Sequence, residues 1–156
     1  MYWRRRLTRL EVAIYAAVAA LVLAVFLERL LYYMELAERT VMEVTVSNVN
    51  SALNVRRAYE MLAGRAANDP SAPLRNPFEL AGMSPANFHG EIDSPSLASL
   101  ERGHWVFDRI RRELIYLPRL RRGLTTADPD SAIRFRLEPR GNAISMLVPT
   151  SEYTWN

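Results

Sequence analysis

The stretch RRRLTRLEVAIYAAVAALVLAVFLERLLYY, residues 4–33, decides how this chain is read. Arg4, Arg5 and Arg6 precede Leu7, Thr8, Arg9 and Leu10. Glu11 then opens onto residues 12–27, sixteen positions without a charge, a glycine or a proline. A helix of that length rises about 24 Å, short of a hydrocarbon core of roughly 30 Å. Leu7, Leu10 and the stems of Arg6 and Arg9 extend it at one end by snorkelling. Leu30, Leu31, Tyr32 and Tyr33 extend it at the other, where tyrosines suit an interfacial belt.

The arginine cluster at Arg4, Arg5 and Arg6 orients such a span with its N-terminus in the cytoplasm. A permanent single span is the leading reading. A cleaved secretory signal and a helix buried in a soluble protein are the alternatives; no convincing small-x-small cleavage site precedes the helical pattern that follows. Glu11 at the edge of the run has two readings. It is an interfacial residue facing headgroups or pairing with Arg9 or Arg5, or it is a buried acid that meets a positive group on a neighbouring subunit.

The helical pattern continues past the span. Leu30, Met34, Ala37, Val41, Val44, Ala52, Val55, Tyr59 and Leu62 recur mostly at intervals of three or four, and a second stripe carries Met42, Val46, Val49 and Leu53. Neither proline nor glycine interrupts residues 7–63. Gly64 is the candidate C-cap and Asn68-Asp69-Pro70 a firm stop. The β-branched passage at 40–47 also fits a strand, but the flanking periodicity favours one helix from about Thr8 to Leu62, roughly 80 Å long. A helix with apolar surface on several faces needs several partners: one face supports a small ectodomain and the others pack on like helices.

The 156 residues carry a net charge of +3, and all 20 basic residues are arginine. Residues 1–66 hold nine arginines against six acids, and residues 67–156 hold eleven of each. The excess therefore sits near the membrane, which points to an anionic leaflet and not to nucleic acid. The absence of cysteine excludes disulfides and thiolate chemistry.

Residues 67–103 are rich in proline and read as an irregular connection with one helical turn near 78–82. Strands follow at 104–108 and 113–117, then at 133–137 with Ile133, Phe135 and Leu137 inward, then at 144–148. The expected fold is α+β: a long N-terminal membrane-spanning helix with a small C-terminal antiparallel sheet of three or four strands on its distal half. The divisions are 1–6 as a basic leader or tail, 7–29 as the span, 30–66 as its amphipathic continuation, 67–103 as the connection and 104–156 as the sheet.

Candidates for chemistry are few. His89 and His104 stand apart and suggest no zinc site, and Ser96 and Ser99 have no base nearby in sequence. Asp128 and Asp130 in an acidic turn offer oxygens to calcium but lack the full ligand series of a calcium loop, so a solvated turn is the alternative. Arg109, Arg111, Arg112, Arg119, Arg121 and Arg122 form a basic cluster that is either solvated or turned toward Glu35, Glu38 and Glu43 of another subunit. No catalytic residues are expected, and no cofactor beyond that calcium.

The basic leader, the glutamate and the long apolar helix together resemble the type IV pilin-like proteins, particularly the pseudopilins of type II secretion. The resemblance implies that Leu7 is the first mature position, Thr8 the second and Glu11 the fifth, with Leu10 in the same assembly segment. A membrane prepilin peptidase would act between Arg6 and Leu7, and methylation would follow. Glu11 would then neutralise the N-terminal amine of a neighbouring subunit and set its register in a low-dielectric core. It further implies a subunit held in the bacterial inner membrane with a periplasmic C-terminal domain, meeting an assembly platform and like subunits before entering a filament. The chain departs from the family pattern in three ways: Arg6 stands where the peptidase expects glycine, Leu7 replaces the usual phenylalanine or methionine, and Arg9 charges a normally apolar triplet. An uncleaved single-span accessory protein of an envelope secretion or pilus machine is the alternative function.

Overall fold

The structure, a computed structural model, describes residues 8–64, 75–94, 96–140 and 143–156. The expectations placed on Arg4, Arg5, Arg6, Leu7 and Asn68-Asp69-Pro70 lie outside these residues. Helix α1 runs unbroken over Arg9–Leu62, 54 residues or about 81 Å along its axis. Residues 40–47 are helical, and Thr40 and Thr45 donate their hydroxyls to the carbonyls of Leu36 and Val41, each at 2.8 Å. Gly64, at φ 66°, takes the left-handed position that ends the helix.

Helix α2, Pro77–Ala81, follows, with Asn76 capping its N-terminus through Phe78 N–H and Gly82 closing it at φ 64°. The strands are β1 Phe88–Ile92, β2 His104–Asp108, β3 Glu113–Leu117, β4 Leu124–Thr126, β5 Ile133–Arg140, β6 Ala143–Pro149 and β7 Tyr153–Trp155. Five of them form one sheet in the order β1-β2-β3-β5-β6, while β4 and β7 pair separately.

The strands anticipated between 104 and 148 are present and pair antiparallel in sequence order. The anticipated sheet is extended by β1, which lies in the segment expected to be an irregular connection and joins β2 in parallel. A parallel edge requires a crossover, and residues 93–103 provide it. They cover the back of the sheet, where Leu97 packs with Val106, Ile115, Leu117 and Ala132. Both faces of β2 and β3 are therefore buried, so these strands lack a polar alternation.

The principal core lies between the front of the sheet and the distal half of α1. Trp105, Phe107, Leu114, Tyr116, Phe135 and Leu147 meet Met42, Val49 and Leu53, with Phe78 and Leu80 of α2 at the margin. Trp105 is at the centre: its ring lies 4.7 Å from Tyr116, 5.6 Å from Phe78 and 5.8 Å from Phe135 between centroids. Ile133, Phe135 and Leu137 all point inward as their alternation requires. The minor stripe of the sequence, Met42, Val46, Val49 and Leu53, is thus the one that the sheet covers. Val41, Val44, Val55, Tyr59 and Leu62 of the longer stripe remain exposed.

Candidate assembly surface

The proximal part of α1 is bare. None of its most apolar 18-residue window, of mean hydropathy 2.5, is covered by the other described residues. A helix buried in a soluble core would be enclosed, so that alternative does not describe this molecule. The helix is long and apolar enough to cross a membrane once. The exposed Val41, Val44, Val55, Tyr59 and Leu62 continue an apolar surface far beyond the length that a bilayer needs.

Thr8 and Glu11 stand together at the start of this helix. The Glu11 N–H donates to Thr8 Oγ1 at 3.3 Å, and Glu11 Oε2 accepts from Thr8 N–H at 2.7 Å and from its hydroxyl at 3.0 Å. This is a reciprocal capping box, which satisfies two amides that the first turn would otherwise leave open. It gives Glu11 a local role that needs no second subunit. The spacing T-x-x-E before an apolar run carries this signal, although the position of the acid beside a membrane span draws attention first. Leu10 beside it is exposed.

The distal half carries polar side chains that bind the sheet domain through its backbone. Glu35 is 6% exposed, and its Oε1 accepts from Gly123 N–H and from Trp155 Nε1–H, both at 2.9 Å. One turn on, Glu38 accepts from Arg119 N–H at 2.6 Å, Leu120 N–H at 3.0 Å and the Tyr116 hydroxyl at 3.0 Å. Asn50 then meets the outer edge of β6, accepting from Leu147 N–H at 2.8 Å and donating to its carbonyl at 3.2 Å. At this one residue a side-chain amide does what another strand would do. Gly123 admits the close approach of this seam, because a Cβ there would lie 1.9 Å from the Asn156 carbonyl oxygen.

Of the two readings of the arginine cluster, these contacts weigh against the one that turns it toward Glu35 and Glu38 of another subunit. Both carboxylates are engaged within the chain, by backbone amides of the arginine-rich segment and not by its guanidinium groups. Glu43 pairs with Arg39 one turn away at 2.8 Å on an exposed face. Burial pushes the Tyr116 phenol well above its ordinary range, and the adjacent Glu38 charge adds to the shift. Tyr153 is raised mainly by burial, then by Glu43, while Arg39 opposes the change.

The basic cluster of the sequence is two groups in space. Arg109, Arg111 and Arg112 sit at the β2–β3 turn, where Asp108 accepts from Ile110 and Arg111 N–H and Asp93 grips Arg109 at 2.8 and 2.9 Å. Arg119, Arg121 and Arg122 lie at the other end of β3, beside α1. Asp128 faces inward on its own turn: Oδ1 accepts from Asp130 and Ala132 N–H, and Oδ2 meets Arg134. Arg134 and Arg136 also pair with Glu113, which makes the Asp128 region an ion-pair network. Both oxygens that Asp128 would offer to calcium already have partners, and Asp130 is half-exposed beside it. Among the described residues no three acids, histidines or cysteines converge as metal ligands. His89 is exposed, and His104 lies 3.4 Å from the Arg102 carbonyl through Nδ1.

Sequence reasoning missed Glu35, Glu38 and Asn50 as the residues that join the two parts of the molecule. One clue was present: Glu35, Met42 and Val49 are spaced by sevens, so the first acid prolongs the buried stripe. No protein-family model, no curated protein and no solved structure matches this chain.

Proposed function

We propose that this chain is a pilin-like structural subunit, anchored by α1 and assembling with copies of itself or related subunits in a type IV pilus or type II secretion pseudopilus. The observation that carries this reading is the partition of α1. One face of its distal half holds the sheet, while the proximal half and the stripe through Val41, Val55 and Tyr59 stay largely exposed among the described residues. An anchor alone needs about 20 apolar residues; a subunit whose helices pack side by side needs apolar surface along the full length. The work done is association and not catalysis. The inner membrane, an assembly platform and a prepilin peptidase are the matching location and partners.

The single-span accessory role is the second reading. It is favoured by Arg6 in place of glycine and by the capping box, which occupies the Glu11 carboxylate within its own chain. The cysteine-free sequence gives a direct test, since single cysteines at Val41, Val55 or Tyr59 introduce the only thiols. In native membranes, oxidation should yield crosslinked dimers from these positions and none from a control at Arg111. Absence of crosslinks at all three would overturn assembly through this stripe. Mass spectrometry of the N-terminus then separates the readings: a chain beginning at methylated Leu7 supports the processed subunit, and an intact Met1 supports the accessory protein.

A further inference from the structure

Arg119, Arg121 and Arg122 are exposed and form no ion pair among the described residues. Their backbone is nevertheless held firmly, because Glu38 and Glu35 bind the amides of residues 119, 120 and 123. The seam fixes this arginine loop against α1 while leaving its guanidinium groups unneutralised by direct contact.

The height of the loop on the helix matters. Arg122 shares a cleft with Glu28, Arg29 and Tyr32, and the cleft reaches down α1 as far as Val25. Val25 belongs to the charge-free run that ends at residue 27. From Val25 to Glu35 the helix rises about 15 Å, which spans the end of the hydrocarbon and the headgroup layer above it. Arg29 and Arg122 thus approach one cleft from the helix and from the sheet domain at headgroup depth. Guanidinium groups offer paired donors that match phosphate oxygens, and they desolvate more readily than ammonium groups.

We propose that this cleft is a binding site for an anionic phospholipid, with the phosphate between Arg29 and Arg122 and the upper acyl chain against Val25. Arg119 and Arg121 reinforce the positive field around the phosphate. Two acids line the cleft with Asn156: Glu35 is turned to the Gly123 amide and the Trp155 indole, and Glu28 accepts a hydrogen bond from a headgroup hydroxyl. The bound lipid ties the sheet domain to the bilayer surface and fixes its tilt on the span. The proposal rests on α1 crossing the membrane and is independent of filament assembly.

The test uses the full chain reconstituted in nanodiscs containing equal parts of phosphatidylglycerol, phosphatidylethanolamine and phosphatidylcholine. Native mass spectrometry after mild detergent release reads the lipids retained. Phosphatidylglycerol should be retained preferentially, and Arg29→Gln and Arg122→Gln should each lower that preference about five-fold. Arg111→Gln, at the other end of β3, should leave it unchanged. Both variants replace exposed side chains, and an unaltered thermal unfolding midpoint verifies that they fold. No preference for phosphatidylglycerol, a preference untouched by the two substitutions, or displacement of the lipid by excess inorganic phosphate would overturn the proposal. Co-flotation with pure phosphatidylcholine vesicles tests insertion by itself, so a failure of the span is distinguishable from a failure of headgroup selection.

Discussion

The two halves of α1 share one uninterrupted backbone and treat their side chains in opposite ways. From Arg9 to Met34 every side chain is exposed. From Glu35 onward one face is buried every seven residues, at Glu35, Met42 and Val49, while the opposite face stays open. The border falls on a buried glutamate, not on a proline or a bend. A continuous helix therefore carries two environments, and the polar seam at Glu35 and Glu38 marks where the sheet domain begins. An apolar surface alone would let that domain slide along the helix. Carboxylates that must meet particular amides fix its height.

The comparison breaks most sharply at the centre of the covered half. Trp105 is 1% exposed and touches three other aromatic rings. Trp105→Ala should cost about 3–5 kcal/mol, from lost transfer energy and the cavity left behind. Denaturant unfolding of the full chain in detergent, followed by near-ultraviolet circular dichroism, measures it. Leu21→Ala in the bare half should leave the same transition within about 0.5 kcal/mol. Equal losses at both positions would mean that the two halves do not differ as described.

The seam gives the next largest effect. Glu35→Ala strands the half-buried Gly123 amide and the buried Trp155 indole N–H, which share this one acceptor oxygen. The expected loss is about 2–3 kcal/mol. Glu43→Ala removes an exposed pair with Arg39 and should cost no more than about 0.5 kcal/mol. Amide hydrogen exchange sharpens the contrast, since Glu35→Ala should speed exchange at Gly123 and leave β2 and β3 protected. Retained protection at Gly123 would show that the carboxylate does not hold this loop.

The division between what sequence reveals and what it hides follows the range of the interactions. The long helix, its end at Gly64 and the strands of 104–148 are written in local periodicity and turn residues. Ile133, Phe135 and Leu137 disclose their inward face by simple alternation. By contrast, β1 lies among prolines, contains Gly90 at φ 115°, and gains its partner by a parallel crossover with no local signature. At three residues each, β4 and β7 are too short for a pattern. Two apolar stripes on one helix look alike to sequence reasoning, and the partner alone decides which is covered. Glu35, Glu38 and Asn50 were hidden because their partners, backbone groups and the Trp155 indole, lie some 80 to 120 residues away. Glu11 is the reverse case: its partner is three residues away, and the capping spacing was legible throughout.

The smallest effect tests whether the seam responds to alkali. Tyr116 donates its hydroxyl to Glu38, and burial, the Glu38 charge and the hydrogen bond together favour its protonated form in the fold, with Arg119 opposing. The folded-state pKa thus lies above the unfolded value near 10. Such a group contributes stability that is complete below pH about 10 and is lost as pH rises through the folded value. Tyr153 shifts in the same direction, mainly from burial, with Glu43 raising its pKa and Arg39 lowering it. Stability measured by denaturant should therefore be level from neutral pH to about 9 and fall above 10. Tyr116→Phe should cost about 1 kcal/mol at neutral pH, because Glu38 keeps its two amide donors. It should also flatten part of the alkaline slope, leaving the share that belongs to Tyr153. The bare half of α1 gains nothing from either phenol, so its helicity by far-ultraviolet circular dichroism should survive the pH at which the sheet domain loosens. Loss of both signals together would place the alkaline weakness outside the seam.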